Sequence, residues 1–247
     1  VIIFDIETGP LPDDHLQKML PDFDPDKAVP DPGKFEAASV KTGNLGAEKA
    51  AEKIAKAKDD HAKAVKNRKA KVEKAREEHF AKFKEKAALS PLYGQVLAIG
   101  ILDDMENRSY ITQSALDDED IVIKTFWSTM TSKNIGHNIH GFDLPFLVRR
   151  SWANDIAVPQ KTIENYRFWH HSYVDLMQVW QLGNRQEYVS LDTLCKFFGI
   201  PGKPDDVGGA DFARLFNGTP EERKQALDYL SNDLTMTKGV AQAMGLF

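Results

Sequence analysis

With one cysteine in 247 residues, Cys195, the chain cannot close an internal disulfide, and no Cys/His cluster has the spacing of a zinc site. It also lacks any uninterrupted apolar run approaching the roughly 20 residues that cross a bilayer, and no signal-peptide pattern opens it. These absences exclude a disulfide scaffold, argue against a membrane span, and set the expectation of a reducing, cytoplasmic location. Val1 already lies inside an apolar run, which predicts a short lead ahead of it. No internal repeat is present. Nor is there an excess of positive charge: 32 Lys and Arg against 37 Asp and Glu leave −5. That balance argues against a protein that coats nucleic acid through bulk charge. It is compatible with an enzyme that sets cations and a few basic side chains beside a phosphate.

What is present begins with 42% apolar residues, enough for a real core in one large domain or two small ones. The charge is unevenly spread. Residues 47–86 hold 14 Lys and Arg against 8 Asp and Glu, and the rest of the chain holds 18 against 29. The same stretch has ten alanines and no glycine or proline, which predicts one long helix or a helical hairpin. A heptad frame with Ala51, Lys58, Val65, Val72 and His79 in one column sets Ile54, His61, Arg68, Ala75 and Lys82 in the other. Too many of these are charged for a zipper. The plain expectation is a solvated helix packed on one side by Ile54, Val65, Val72, Phe80 and Phe83. A basic arm on a nucleic-acid backbone and a partner-binding arm are the alternatives.

Around this stretch the texture is that of a packed domain. Residues 1–8 read as a buried strand. Residues 9–33 read as a linker with prolines at 10, 12, 21, 25, 30 and 32, and with room for a short helix over 13–20. Strands over 95–102 and 108–112 flank a turn, giving a hairpin. Helical spacing follows over 117–131, a strand over 133–139 and a helix over 142–152. Residues 171–179 read as a strand or a helix entry, and 190–198 as a helix closed by Gly199. Residues 203–209 read as a Gly/Pro/Asp loop. A last helix starts at Pro220 behind its cap Thr219. A hairpin followed by alternating helices and strands indicates an α/β domain with a mixed sheet.

Candidate chemistry lies in carboxylates. Asp5 and Glu7 are two apart on a strand, so their side chains share a face. A divalent cation would relieve their repulsion, and a solvated acidic strand end is the plainer reading. Asp143 opens a predicted helix, where an Asp is commonly a cap. Tyr229 and Asp233, four apart, share a helical face. His170 and His171 are adjacent, and on a strand they point opposite ways, which speaks against shared ligation. Arg149 and Arg150 could face phosphates or solvent, and Asp175 suits supporting structural work.

Taken in order, Phe4-Asp5-Ile6-Glu7-Thr8, Asn138 to Asp143, and Tyr229 to Asp233 resemble the three motifs of the DEDD, or DnaQ-like, 3′–5′ exonucleases. The third resembles the tyrosine variety of that family; the histidine variety would place His at position 228, which is Asp228. The chain is most similar to the proofreading domains of family B DNA polymerases, over residues 1–11 and about 91–245. The resemblance implies an α/β, ribonuclease H-like mixed sheet flanked by helices. The exonuclease domain would comprise 1–33 and 91–247. A long Ala/Lys-rich helical insertion over 34–90 would separate the first two strands.

The resemblance also implies an activity: hydrolysis of phosphodiester bonds at DNA 3′ ends, single-stranded or frayed, releasing nucleoside 5′-monophosphates. Two divalent cations, Mg²⁺ or Mn²⁺, would be held by Asp5, Glu7, Asp143 and Asp233. Tyr229, with an ordinary pKa near 10, would orient the attacking hydroxide rather than take its proton. Thr8, Gly9, Leu11, Asn138 and Phe142 would contact the terminal nucleotide, Leu11 where relatives place an apolar wedge. A 3′–5′ exoribonuclease is the near alternative. A non-catalytic nucleic-acid-binding module using the basic arm is another, and so is a subunit docking a DNA polymerase or repair partner through 47–86.

Overall fold

β1 (Ile2–Pro10) alternates along its length, and that alternation supplies both faces of the sheet. Ile2, Phe4 and Ile6 enter one core with Ile99, Phe126, Leu144 and Phe146. Ile3 enters the other, beside Leu102, Leu234 and Val240, and Asp5 and Glu7 follow it on that face. The computed structural model describes residues 1–113, 118–163, 172–184, 187–202 and 208–247.

After β1 come α1 (Asp13–Met19), α2 (Pro25–Ala28) and α3 (Ala47–Ala87), then β2 (Gly94–Asp103) and β3 (Arg108–Thr112). Next are α4 (Glu119–Thr129), β4 (Asn134–Gly136), α5 (Asp143–Ala153), α6 (Gln160–Ile163) and β5 (Tyr173–Asp175). The chain closes with α7 (Leu176–Gln181), α8 (Leu191–Phe198), α9 (Gly209–Phe216) and α10 (Pro220–Ala243). The strands lie in the order β3-β2-β1-β4-β5. β1 to β3 form an antiparallel meander, and β4 and β5 run parallel to β1. This is the mixed, helix-flanked α/β sheet expected of a ribonuclease H-like exonuclease domain. Residues of α4 and α5 cover one face, and residues of α8, α9 and α10 cover the other.

Several elements differ in extent from their sequence signals. The strand expected over 133–139 has three residues, because the chain leaves the sheet after Gly136 to carry Asp143 inward. The ambiguous 171–179 segment resolves into β5 followed at once by α7, with Asp175 as the cap accepting from Met177 N. α9 carried no expectation: its apolar residues, Phe212, Leu215 and Phe216, sit too close to the preceding glycines for a periodic signal to emerge. The start of the 117–131 prediction, residues 203–207 of the predicted loop, and His170 and His171 lie outside the described residues.

The chain divides into two compact units, one of Val1–Leu16 with Lys86–Phe247 and one of Gln17–Glu85. The predicted 47–86 stretch is one continuous helix, within the 41-residue α3, about 60 Å long, and all but the last two residues of α3 belong to the second unit. Its seam is occupied by the chain's own proline-rich segment. His61 Nε2–H donates to the carbonyls of Pro32 (3.4 Å) and Gly33 (3.2 Å), and His79 Nε2–H to Pro21 O (3.2 Å). Phe35 packs on His61 and Phe23 on His79, and Arg68 binds Val29 O and Asp26. Three of the polar seam residues that argue against a zipper, His61, Arg68 and His79, thus bind a strap of carbonyls. Val65, expected on the packed side, is 50% exposed, because the strap passes along the line of His61 and Arg68 instead. Among the described residues, no helix is long and apolar enough to cross a membrane.

Candidate active site

Three carboxylates converge. Ligand oxygens of Asp5, Glu7 and Asp233 all lie within 4.8 Å of one another. β1 supplies the first two on one face, and α10 supplies the third. The approach of α10 is set by Gly100 of β2, which pairs with Asp5 in the ladder. A Cβ on Gly100 would stand 2.8 Å from Leu234 Cδ1 and 2.9 Å from Leu230 Cγ, so only glycine lets α10 lie this close. Leu230 and Leu234 lie either side of Asp233 in sequence, and their fully buried packing fixes its height over β1. α10 itself starts firmly. Thr219 Oγ1 accepts from Glu222 N, and the Glu222 carboxylate accepts from Thr219 N, a complete capping box behind Pro220 at the first turn.

Asp143 reaches the same strand from the β4 side. β4 pairs with β1 only at Ile2 and Ile3. Farther along β1, Asp143 Oδ1 accepts the Ile6 N–H at 3.2 Å, between the two strand carboxylates. Asp143 is therefore beside the platform without belonging to the three-carboxylate cluster. It is 3% exposed, and burial pushes its carboxyl up to about 7, partly offset by its backbone hydrogen bonds. A cation placed against it would reverse that cost.

The loop between β4 and α5 is held by Asp175. Its Oδ1 accepts from Asn138 N (2.8 Å) and its Oδ2 from His140 N (2.9 Å), at 3% exposure. This clamp holds Asn138 at φ 59°, a left-handed conformation that Asn tolerates better than most residues. His137 Nε2–H donates to Val189 O at 3.0 Å, and its Nδ1 is buried with no hydrogen-bond partner among the described residues. Burial lowers the His137 pKa, so the ring stays neutral and Nδ1 presents a lone pair. The supporting work expected of Asp175 is this clamp, but the amides it holds, and the role of His137, have no sequence signature, since both depend on which backbone atoms the fold brings within reach.

The remaining candidates divide. Thr8 is buried, and its hydroxyl donates to Ala88 O at 2.7 Å. Gly9 lies under α9, where a Cβ would meet Leu97 Cδ1 at 2.6 Å and Ala213 Cβ at 3.1 Å, so close packing accounts for it. Leu11 is half-buried, its N–H donating to Tyr93 O. Phe142 is half-buried against Phe146 and the core. Tyr229 is half-buried beside Phe212. Arg150 does not face phosphate: it is buried in a two-pronged pair with Glu119, whose carboxylate also accepts from Val96 N and Asn154 Nδ2. Arg149 is exposed and lines a cavity of about 450 Å³ with His140, Pro145 and Trp152.

Chemically, three hard oxygen donors within reach of one ion fit Mg²⁺ or Mn²⁺, and they would fit a softer metal poorly. The fold has a known counterpart. A family B DNA polymerase from the hyperthermophilic archaeon Pyrobaculum calidifontis superposes with a TM-score of 0.54 at 21% identity, over 65% of this chain. The chain spans 23% of that polymerase. No curated protein matches the sequence. A family model matches residues 89–238, a stretch that carries Asp143, Tyr229 and Asp233 and begins after the first strand. By that match the chain belongs to the family of predicted 3′–5′ exonucleases related to the exonuclease domain of PolB.

Proposed function

We propose that the chain is a metal-dependent 3′–5′ exonuclease of the tyrosine type, acting on single-stranded or frayed DNA 3′ ends and releasing nucleoside 5′-monophosphates. The observation that carries this reading is the convergence of Asp5, Glu7 and Asp233 from β1 and α10. A nucleic-acid binder without catalysis gains nothing from three clustered carboxylates beside a phosphate, because their charge opposes the ligand.

Asp5, Glu7 and Asp233 would hold the cations, with Asp143 completing the set from the N-terminus of α5. Bound there, the cations would supply Lewis acidity and offset negative charge at the reacting phosphodiester. The chain's own groups do the rest. Tyr229, four residues before Asp233 on one face of α10, has a phenol that orients the attacking water. The Asp175 clamp fixes the backbone of Asn138, whose side-chain amide would hydrogen-bond the terminal sugar. Phe142, leaning on Phe146, presents an apolar surface to the terminal base.

The test is a 5′-labelled single-stranded DNA and its RNA equivalent, each incubated with Mg²⁺ or Mn²⁺. The expected result is a ladder shortening from the 3′ end of DNA and lost in Asp5→Ala. Shortening of RNA alone would replace DNA by RNA as substrate. Intact substrates with metal binding demonstrated would overturn the nuclease reading.

A further inference from the structure

α3 carries its charges in separated stripes. Taking 100° per residue, the half-buried positions Ala50, Ile54, Ala57, His61, Arg68, Val72, Ala75 and His79 fall on one line. On that line His61, Arg68 and His79 hold the strap. Rotating away from it, positions 49, 53, 56, 60, 63, 67, 71 and 74 form a continuous stripe at steps of three and four. Six of these eight are lysines, and the others are Asp60 and Asn67. The next stripe round holds Glu48, Glu52, Asp59, Glu73 and Glu77 with only Lys66 among them. A helix whose charges served only to solvate it would interleave the signs so that pairs at i, i+4 form across the whole surface.

The lysine stripe is open. Lys49, Lys53, Lys56, Lys63, Lys71 and Lys74 are all exposed. Lys63 pairs with Asp59 and Lys74 with Glu78, and Lys53 Nζ donates to Lys41 O. Lys49, Lys56 and Lys71 make no ion pair among the described residues. From Lys49 to Lys74 the stripe runs about 38 Å, at 1.5 Å per residue. A row of point charges on flexible stems, with no apolar pocket and no fork-shaped donors, suits a repeated anion better than a folded protein surface.

We propose that the lysine stripe of α3 is a sequence-independent binding surface for the phosphate backbone of a single-stranded nucleic acid. It rests on the nucleic-acid substrate proposed above, and it adds a holding surface that chemistry on a short end would not need. Binding through it is electrostatic, so it weakens with salt and ignores base identity.

The experiment uses the full chain in EDTA, where no metal supports cleavage, with a labelled 30-nucleotide DNA as probe. Dissociation constants are measured across a salt series for the wild type and for Lys49→Glu/Lys56→Glu/Lys71→Glu. The control, Lys58→Glu/Lys69→Glu/Lys66→Glu, makes the same charge change off the stripe, and circular dichroism checks that α3 persists in both. The stripe variant is expected to bind about tenfold or more weakly, with a salt slope shallower by about 0.7 for each phosphate no longer neutralised. Its kcat/KM on a trinucleotide with Mg²⁺ should be unchanged. An unchanged dissociation constant and slope overturn the proposal, and so does an equal weakening in the control. A wild type that never cleaves the trinucleotide defeats the nuclease reading, while the salt slopes still decide the stripe. A wild type that ignores DNA in EDTA but retains an acidic polypeptide would assign the stripe to a protein partner and overturn the proposal.

Discussion

Asp143 is a carboxylate held almost out of water, with the Ile6 amide as its anchor on β1. Its folded pKa of about 7 lies above the ordinary carboxylate value, so between about 4 and 7 the folded chain holds a proton that the unfolded chain has lost. The sign follows: in metal-free buffer its contribution to stability is fully present below pH 4, falls as pH rises, and levels off above 7. The loss is on the order of 4 kcal/mol, and urea unfolding at pH 5 and pH 8 should show it shrink in Asp143→Asn. At the cluster, Asp5→Asn removes one of three crowded charges. It should leave the metal-free protein as stable or more stable, by on the order of 1 kcal/mol. Mn²⁺ affinity in calorimetry should fall by at least the roughly 10–100-fold that loss of an outer partner costs. Asp5 and Glu7 were legible in sequence because a strand has period two. Asp143 was legible as a motif residue, but its separation from the three-carboxylate cluster was not, since that depends on where β4 stops.

Among the elements, α10 and the β4–α5 loop decide whether those residues meet. α10 lies close enough because position 100 has no side chain. Gly100→Ala forces Leu230 and Leu234 outward and should destabilise the fold by about 1–3 kcal/mol, with Mg²⁺-dependent thermal stabilisation reduced as Asp233 lifts away. The loop depends on Asp175, which accepts from two backbone amides of the loop and from Met177 N. In Asp175→Ala those amides lose their acceptor, and kcat on DNA should fall about 10²-fold. Metal affinity, set mainly by β1 and α10, should change much less. An equal collapse of metal affinity and kcat would mean that the site as a whole had unfolded. An isolated glycine inside a buried strand is a readable sign of close approach. The partner that approaches is not readable, because Leu230 lies 130 positions along the chain.

At the scale of the whole molecule, an exonuclease-family unit and a strap-and-helix unit share one chain. The second unit has little apolar core and is held by polar contacts of His61, Arg68 and His79 to strap carbonyls, backed by two Phe–His packings. Such contacts stabilise locally and open readily. His61→Ala/His79→Ala should therefore speed chymotryptic cleavage at Phe23 and Phe35, with residues 86–247 resisting further digestion as before. Unchanged cleavage would show that the strap is held mainly by its prolines and by Arg68.

The sequence by itself determined the carboxylate platform on β1, the order of the motifs, the single uninterrupted stretch of helix formers and the α/β class, because each follows from local periodicity or residue chemistry. Only the tertiary structure decided the rest. It brought Asp233 over β1 through the space left at Gly100, set Asp143 on the Ile6 amide, buried Arg150 against Glu119 and laid the proline segment into the seam of α3. Each of these joins atoms far apart in the chain, through close packing or the need of a buried polar group for a partner, and neither leaves a periodic trace in sequence.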